Sequence, residues 1–178
     1  MRGRKLQSFK GSQVRPTADR VREALFNIMG GKAPEASVLD LFSGTGALGI
    51  EALSRGASMA VFVDSSVRSL AVLQKNLDHC NLHQCARMIR WDIAKSLNCL
   101  RTYPHTFDLV FMDPPYGHGL AALAMEHLLQ SRCLASEALL AAEHEALAPP
   151  NIESSHLTCI DTRRYGRTGI SLFVYHAH

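Results

Sequence analysis

Val38-Leu39-Asp40-Leu41-Phe42-Ser43-Gly44-Thr45-Gly46-Ala47-Leu48-Gly49 decides how the rest of the chain is read. An apolar run with a single acid inside it passes directly into three glycines spaced Gly44-x-Gly46-x-x-Gly49. Such a run reads as a buried strand, and the glycines let the backbone turn sharply past a ligand that faces the next helix's N-terminus. The helix is expected over about residues 46–55. The spacing satisfies the dinucleotide fingerprint, and Asp64 stands 20 residues after Gly44, where a ribose-binding acid belongs.

Working outward, short apolar runs alternate with helical stretches. Ala60–Asp64, Arg87–Trp91 and Asp108–Met112 read as further strands, with helices over about 66–79 and Gly119–Gln130. Ala138–Glu143 is expected as a fifth strand, although its Ala/Leu content also suits a helix. Strands separated by helices pair in parallel, which gives a doubly wound α/β sheet. Leu157–Arg164 and Ile170–His176 are joined only by Tyr165-Gly166-Arg167-Thr168-Gly169. That link is too short for a parallel crossover, so these two should be antiparallel. The fold class expected is a Rossmann-like class I S-adenosylmethionine-dependent methyltransferase, mostly parallel with a C-terminal antiparallel hairpin. Ahead of the sheet, Thr17–Met29 reads as a helix, with Pro16 before it, Thr17 as a cap and Gly30-Gly31 as its stop.

Two enzymes could use this glycine loop, and Asp40 helps to separate them. A carboxylate at the end of the first strand would repel a pyrophosphate and welcome the cationic methionine end of S-adenosylmethionine. Asp40 could instead simply hold loop amides. Asp64, with Ser65 beside it, can accept ribose hydroxyls from either cofactor. Asp92, with Ile93 beside it, follows the third strand, where an acid can take the adenine amine; it could equally cap a following helix. The loop residues Phe42, Ser43, Gly44, Thr45 and Gly46 complete the expected cofactor site.

Asp113-Pro114-Pro115-Tyr116 follows the fourth strand, at the carboxyl end where open α/β sheets bind ligands. Two prolines stiffen the turn and remove two N–H donors, leaving an acceptor-rich surface. An exocyclic base amine needs acceptors, because its lone pair is delocalised into the ring. Asp113 and the Pro114 carbonyl can hold its N–H groups, an advantage that grows as the nitrogen becomes positive. Tyr116 can stack on an unpaired base. Asp113, Pro114, Pro115 and Tyr116 are thus the candidate catalytic residues, and Asp113 also borders the cofactor. The surplus proton leaves to Asp113 or to bulk water.

These residues also carry a family resemblance. Asp113-Pro114-Pro115-Tyr116 looks like the [DNS]-P-P-[YFW] motif of amino-directed nucleic-acid methyltransferases. Arg15-Pro16-Thr17-Ala18-Asp19-Arg20-Val21-Arg22-Glu23-Ala24-Leu25-Phe26-Asn27, together with the stretch from Leu39 to Ala57, resembles the RsmD family across essentially the whole chain. The resemblance implies methyl transfer from S-adenosylmethionine to guanine N2 of 16S ribosomal RNA, naked or in an assembling small subunit. It also implies that Arg15, Pro16 and Thr17 fold over the cofactor. The motif alone leaves adenine N6 and cytosine N4 open, in RNA or DNA. An NAD-dependent oxidoreductase and a non-catalytic RNA-binding module are the readings from other classes.

Charge agrees with a polyanionic partner. Residues 1–22 carry seven basic side chains and one acid, so that segment is +6 and the remainder −3 of an overall +3. Lys5, Lys10 and Arg20 in this arm, with Arg164 and Tyr165 in the late basic turn, are the candidate RNA contacts. Five cysteines (Cys80, Cys85, Cys99, Cys133, Cys159) without a C-x-x-C pair argue against a disulfide framework and a zinc ribbon. Within His79, Cys80, His83 and Cys85 a helix end running into a loop is expected rather than a metal site. No apolar run approaches the length of a membrane span, and no signal stretch follows the basic start. A single cytoplasmic, monomeric domain over 1–178 is expected, with 1–30 a basic arm and helix packed on the core.

Overall fold

Among the described residues there are seven strands: β1 Ser37–Leu41, β2 Met59–Asp64, β3 Ala86–Arg90, β4 Phe107–Met112, β5 Leu134–Glu145, β6 Leu157–Tyr165 and β7 Thr168–Tyr175. In the computed structural model, which describes residues 6–8, 16–101, 103–117 and 119–177, they form one sheet ordered β3-β2-β1-β4-β5-β7-β6. β1, β2, β3, β4 and β5 are parallel, while β7 runs antiparallel between β5 and β6. The chain winds outward from β1 in one direction and from β4 in the other. The crevice at their carboxyl ends is the topological switch point where such sheets bind ligands.

Helices cover both faces because the central strands carry no polar side. α1 Pro16–Ile28, α2 Ala47–Ser54 and α3 Val67–Cys80 pack on one face, and α4 Leu120–Ser131 with a 3-10 turn at Asn98–Leu100 packs on the other. α1 docks through Val21, Leu25, Phe26 and Met29, all buried. The Phe26 ring lies 5.5 Å from that of Phe111, and the Arg55 guanidinium covers it at 4.6 Å. α3 starts on Ser66, whose Oγ accepts the Ser69 amide, and ends on Asn81 in the left-handed region. Among the described residues no helix is long and apolar enough to cross a membrane.

Two elements differ from the sequence reading. β5 begins at Leu134, four residues earlier than the alternation suggests. Its Leu134 pairs with Phe107, but the register then shifts, and Glu137 lies in the left-handed region at φ 61°. That irregularity breaks the alternation and hides the strand's first half. Asp92 caps no helix. Its Oδ1 accepts the Ala94 amide at 3.2 Å in a local turn, and the 3-10 turn starts only at Asn98.

The β1–α2 connection is tightly packed. Gly46 caps α2 at φ +80°, and a side chain there would run into Leu73. Gly49 sits on the Phe62 ring, so that a β-carbon would come within 2.7 Å of Phe62 Cζ and 3.1 Å of Asp40 Oδ2. Gly49→Ala should therefore destabilise the protein by about 1–3 kcal/mol, as overpacking of a filled core does. Urea unfolding measures this, and an unchanged midpoint would mean that the Phe62 ring gives way freely.

Candidate functional site

The pleat of the sheet decides which side chains meet in the crevice. Phe62, Phe111 and Ala141 point toward α1 and α2, and Val63, Met112 and Ala142 point toward α4. Successive side chains alternate, so the next residue of each strand turns back to the α1 side. Those residues are Asp64, Asp113 and Glu143. The register aligns them: Leu41 pairs with both Val63 and Met112, and Met112 pairs with Ala142. Asp40, opposite Phe62 and Phe111, faces the same side one pleat lower. Four carboxyl groups thus gather on one side of the sheet edge.

Each carboxyl has a different setting. Asp40 is 2% exposed, and its Oδ2 accepts the Gly49 amide at 2.9 Å. Burial raises its pKa well above the usual carboxylate range; the Gly49 bond opposes this, and Asp113 and Asp64 add to it. Of the two uses expected for Asp40, holding the loop is the one its geometry displays. Asp64 accepts the Gly44 amide through Oδ2 and the Ser66 amide through Oδ1, both at 2.8 Å. It ties the glycine loop to the start of α3 and still keeps a lone pair on each oxygen. Asp113 is open to water on its outer side, but protein crowds its carboxyl. Loss of hydration, followed by the charge of Glu143, pushes it up to about 7. Burial likewise raises Glu143, against the hydrogen bond it receives from Tyr116.

Tyr116 is 44% exposed and anchored at its far end. Its hydroxyl donates to Glu143 Oε1 at 2.9 Å and lies 3.1 Å from Thr168 Oγ1. Asp113 and Glu143 line a cavity whose apolar walls include Val21, Leu25, Leu48 and Ile170. Pro114 is buried beneath the turn, whereas Pro115 faces solvent. A second hollow, lined by Ser65, Arg90, Trp91, Asp92 and Lys95, opens beyond the ends of β2 and β3. Ile93 is buried behind it.

The glycine loop has little left for a phosphate. The amides of Ser43, Gly44, Gly46 and Gly49 donate to Val63 O, Asp64 Oδ2, Ser43 O and Asp40 Oδ2. A dinucleotide loop needs such amides free for its pyrophosphate. Here they hold the protein to itself, next to carboxylates that suit a cation. Ser43 Oγ is buried and has no hydrogen-bond partner among the described residues, so the loop does keep one polar atom for a ligand.

Other expected residues are dispersed. Arg15, Lys5 and Lys10 lie outside the described residues, and α1 begins at Pro16, so Thr17 stands inside the helix instead of capping it. Arg20 is exposed on α1. Arg164 is exposed, with Nε donating to Gly166 O at 3.0 Å, while Tyr165 packs partly against the core. Phe42 and Thr45 are half-buried, and Phe42 has a φ of +57°. Around the end of α3, Cys80 is in the core, Cys85 donates to Leu82 O, and His83 lies 3.1 Å from Asp78. The sequence reading missed Glu143 and Thr168. It also missed Asn76, fully buried on α3, which holds Thr45 O at 2.9 Å and exchanges bonds with Gln7. That side chain ties the segment before α1 to the glycine loop. A polar residue on the core side of a helix was the available signal.

Comparison with known proteins fits this geometry. A family model described as conserved hypothetical protein 95 matches residues 1–174. The Escherichia coli protein named ribosomal RNA small subunit methyltransferase D is 40% identical over 144 residues, covering 81% of this chain and 71% of its own. The solved structure of yhhF from Escherichia coli is 30% identical, with a TM-score of 0.84 over 99% of this chain and 94% of that one. More distantly, SMU.776, solved in complex with SAH, shares the fold at 19% identity, with a TM-score of 0.67 over 87% of this chain and 48% of that one. With its sheet order, its acid-lined crevice and these matches, the chain belongs to the conserved hypothetical protein 95 family, the RsmD family of ribosomal RNA methyltransferases.

Proposed function

We propose that this protein methylates the exocyclic N2 amine of a guanine in 16S ribosomal RNA, with S-adenosylmethionine as methyl donor. The observation that carries amine methylation is Asp113-Pro114-Pro115-Tyr116, set at the switch-point end of β4 over a cavity shared with Glu143, while the choice of guanine and of 16S ribosomal RNA follows the family resemblance. When bound, S-adenosylmethionine supplies a methyl group already activated on a sulfonium, and the acidic crevice suits that cation. Asp64, Ser65 and the Asp92–Ile93 turn would hold its adenosine half, and Ser43 with the glycine loop its methionine half.

The chain's own residues align and polarise the nucleophile. Asp113 and the Pro114 carbonyl accept from the amine, fixing its orientation and favouring the developing positive nitrogen. The exposed face of Tyr116 stacks on the base while its hydroxyl stays on Glu143 and Thr168. Arg20 and Arg164 face solvent, where RNA phosphates can reach them. The internally satisfied glycine amides speak against a nicotinamide dinucleotide in the same loop.

Asp113→Ala should abolish transfer to undermethylated ribosomal RNA, read by nucleoside mass spectrometry. Calorimetry should find its affinity for S-adenosylhomocysteine largely retained; near-normal turnover would sink the assignment. The raised carboxyl also predicts a stability signature. A native pKa near 7 against an ordinary unfolded value means that folding takes up a proton. Asp113 therefore opposes folding most strongly above pH 7, and this effect fades as the pH falls toward 4. Without ligand, Asp113→Asn should melt higher than the parent at pH 8, and the gap should close by about pH 4. A gap that widens toward acid pH would contradict the electrostatic account.

A further inference from the structure

Holding an amine does not require Glu143, yet Glu143 lines the same cavity as Asp113, the two acids directly following the paired residues Ala142 and Met112. Its Oε1 takes the Tyr116 hydroxyl. A carboxylate offers about four acceptor positions, and only this one is filled by a side chain among the described residues. Among the described residues the cation lining the same cavity is Arg22, whose guanidinium is held by Asp19 at 3.0 Å. Apolar neighbours Val21, Leu25 and Ile170 supply no donors. Glu143 is a crowded acceptor whose natural complement is an N–H brought in by a ligand.

The three amino bases differ at the ring nitrogen beside the amine. Guanine carries N1–H there, a donor next to the N2 donors. Adenine N1 and cytosine N3 carry bare lone pairs at the equivalent place. We propose that Glu143 selects guanine, its carboxylate accepting N1–H while Asp113 and the Pro114 carbonyl hold the N2 amine. A lone pair turned toward the same carboxylate is repelled, so adenine and cytosine are rejected although each has an amine to offer. Tyr116 contributes by keeping Glu143 turned into the cavity, which makes the aromatic stacker and the selecting acid one unit. This inference rests on the amine-methylation reading, and its test separates the two.

The wild-type protein is first used to map the methylated nucleotide in undermethylated small ribosomal subunits. Subunits are then reassembled with 2-aminopurine at that nucleotide, a base that keeps the C2 amine but has a lone pair at N1. Wild type should prefer guanine over 2-aminopurine by at least about 100-fold in kcat/KM, the scale on which sites built to bond a polar group reject its absence. In Glu143→Gln the side-chain amide can donate to the bare nitrogen, and the preference should shrink to within about tenfold. Glu143→Asp should keep the guanine preference at a lower rate. If the glutamine variant does not fold, Glu143→Ala gives the same reading, with both bases methylated slowly and nearly equally. Undiminished guanine preference in the Gln or Ala variant overturns the role of Glu143 and leaves amine methylation standing. Absence of methylated guanine with the wild-type protein overturns the underlying reading itself.

Discussion

Everything at the crevice depends on strand register. A parallel sheet turns equivalent strand ends to the same side, and this chain places an acid at three of those ends, with a fourth one pleat below. Like charges so placed repel one another, and crowding by α1 removes part of their hydration. Burial raises the pKa of Asp40, Asp113 and Glu143, and neighbouring acids add to the rise at Asp40 and Asp113. Two of the four acids answer it with backbone amides: Asp40 with Gly49, and Asp64 with Gly44 and Ser66. Asp113 and Glu143 have no comparable set of amides among the described residues. They are the pair left with unused capacity, and they face the cavity. Asp40 and Asp64 thus hold the loop, and Asp113 and Glu143 keep acceptors turned to the cavity.

Most of the fold was readable from sequence because buried parallel strands are written as continuous apolar runs, and helices between them fix the pairing. The antiparallel end was equally legible, since five residues between two strands exclude a crossover. The first half of β5 was not, because the irregular backbone around Glu137 removes the period on which such reading depends. In the site, Asp113 carried a local signature in the prolines after it. Glu143 carried none. Its meaning arises only when β4 and β5 are laid side by side, which is a tertiary fact. Asp40 was read either as a ligand-binding acid or as a holder of loop amides and Asp64 as a ligand-binding acid; in the structure both hold loop amides.

Those loop amides settle a question that the spacing of glycines leaves open. Gly44-x-Gly46-x-x-Gly49 can cradle a pyrophosphate only if its N–H groups point outward unclaimed. Here Asp64 and Asp40 claim the Gly44 and Gly49 amides and the Ser43 carbonyl claims that of Gly46, and the glycines serve close packing: Gly46 against Leu73 and Gly49 against Phe62. The same spacing therefore supports two chemistries, and the distinction lies in which groups receive the amides. Asn76 reinforces this use by holding Thr45 O from the buried side of α3.

The C-terminal hairpin gains a role from the same logic. β7 enters the sheet between β5 and β6, and this brings Thr168 to the Tyr116 hydroxyl beside Glu143. A turn that is stiff along its backbone because of Pro114 and Pro115 is thus also fixed at the tip of its aromatic side chain. The ring keeps an open face, being 44% exposed, while its rotation is restrained from the hydroxyl end. Restraint of this kind lowers the entropy lost when a flat ligand stacks, and so favours a pre-shaped site over one assembled on binding. The antiparallel strands are thereby more than a sheet edge: they hold the hydroxyl of the aromatic residue proposed to stack on the base.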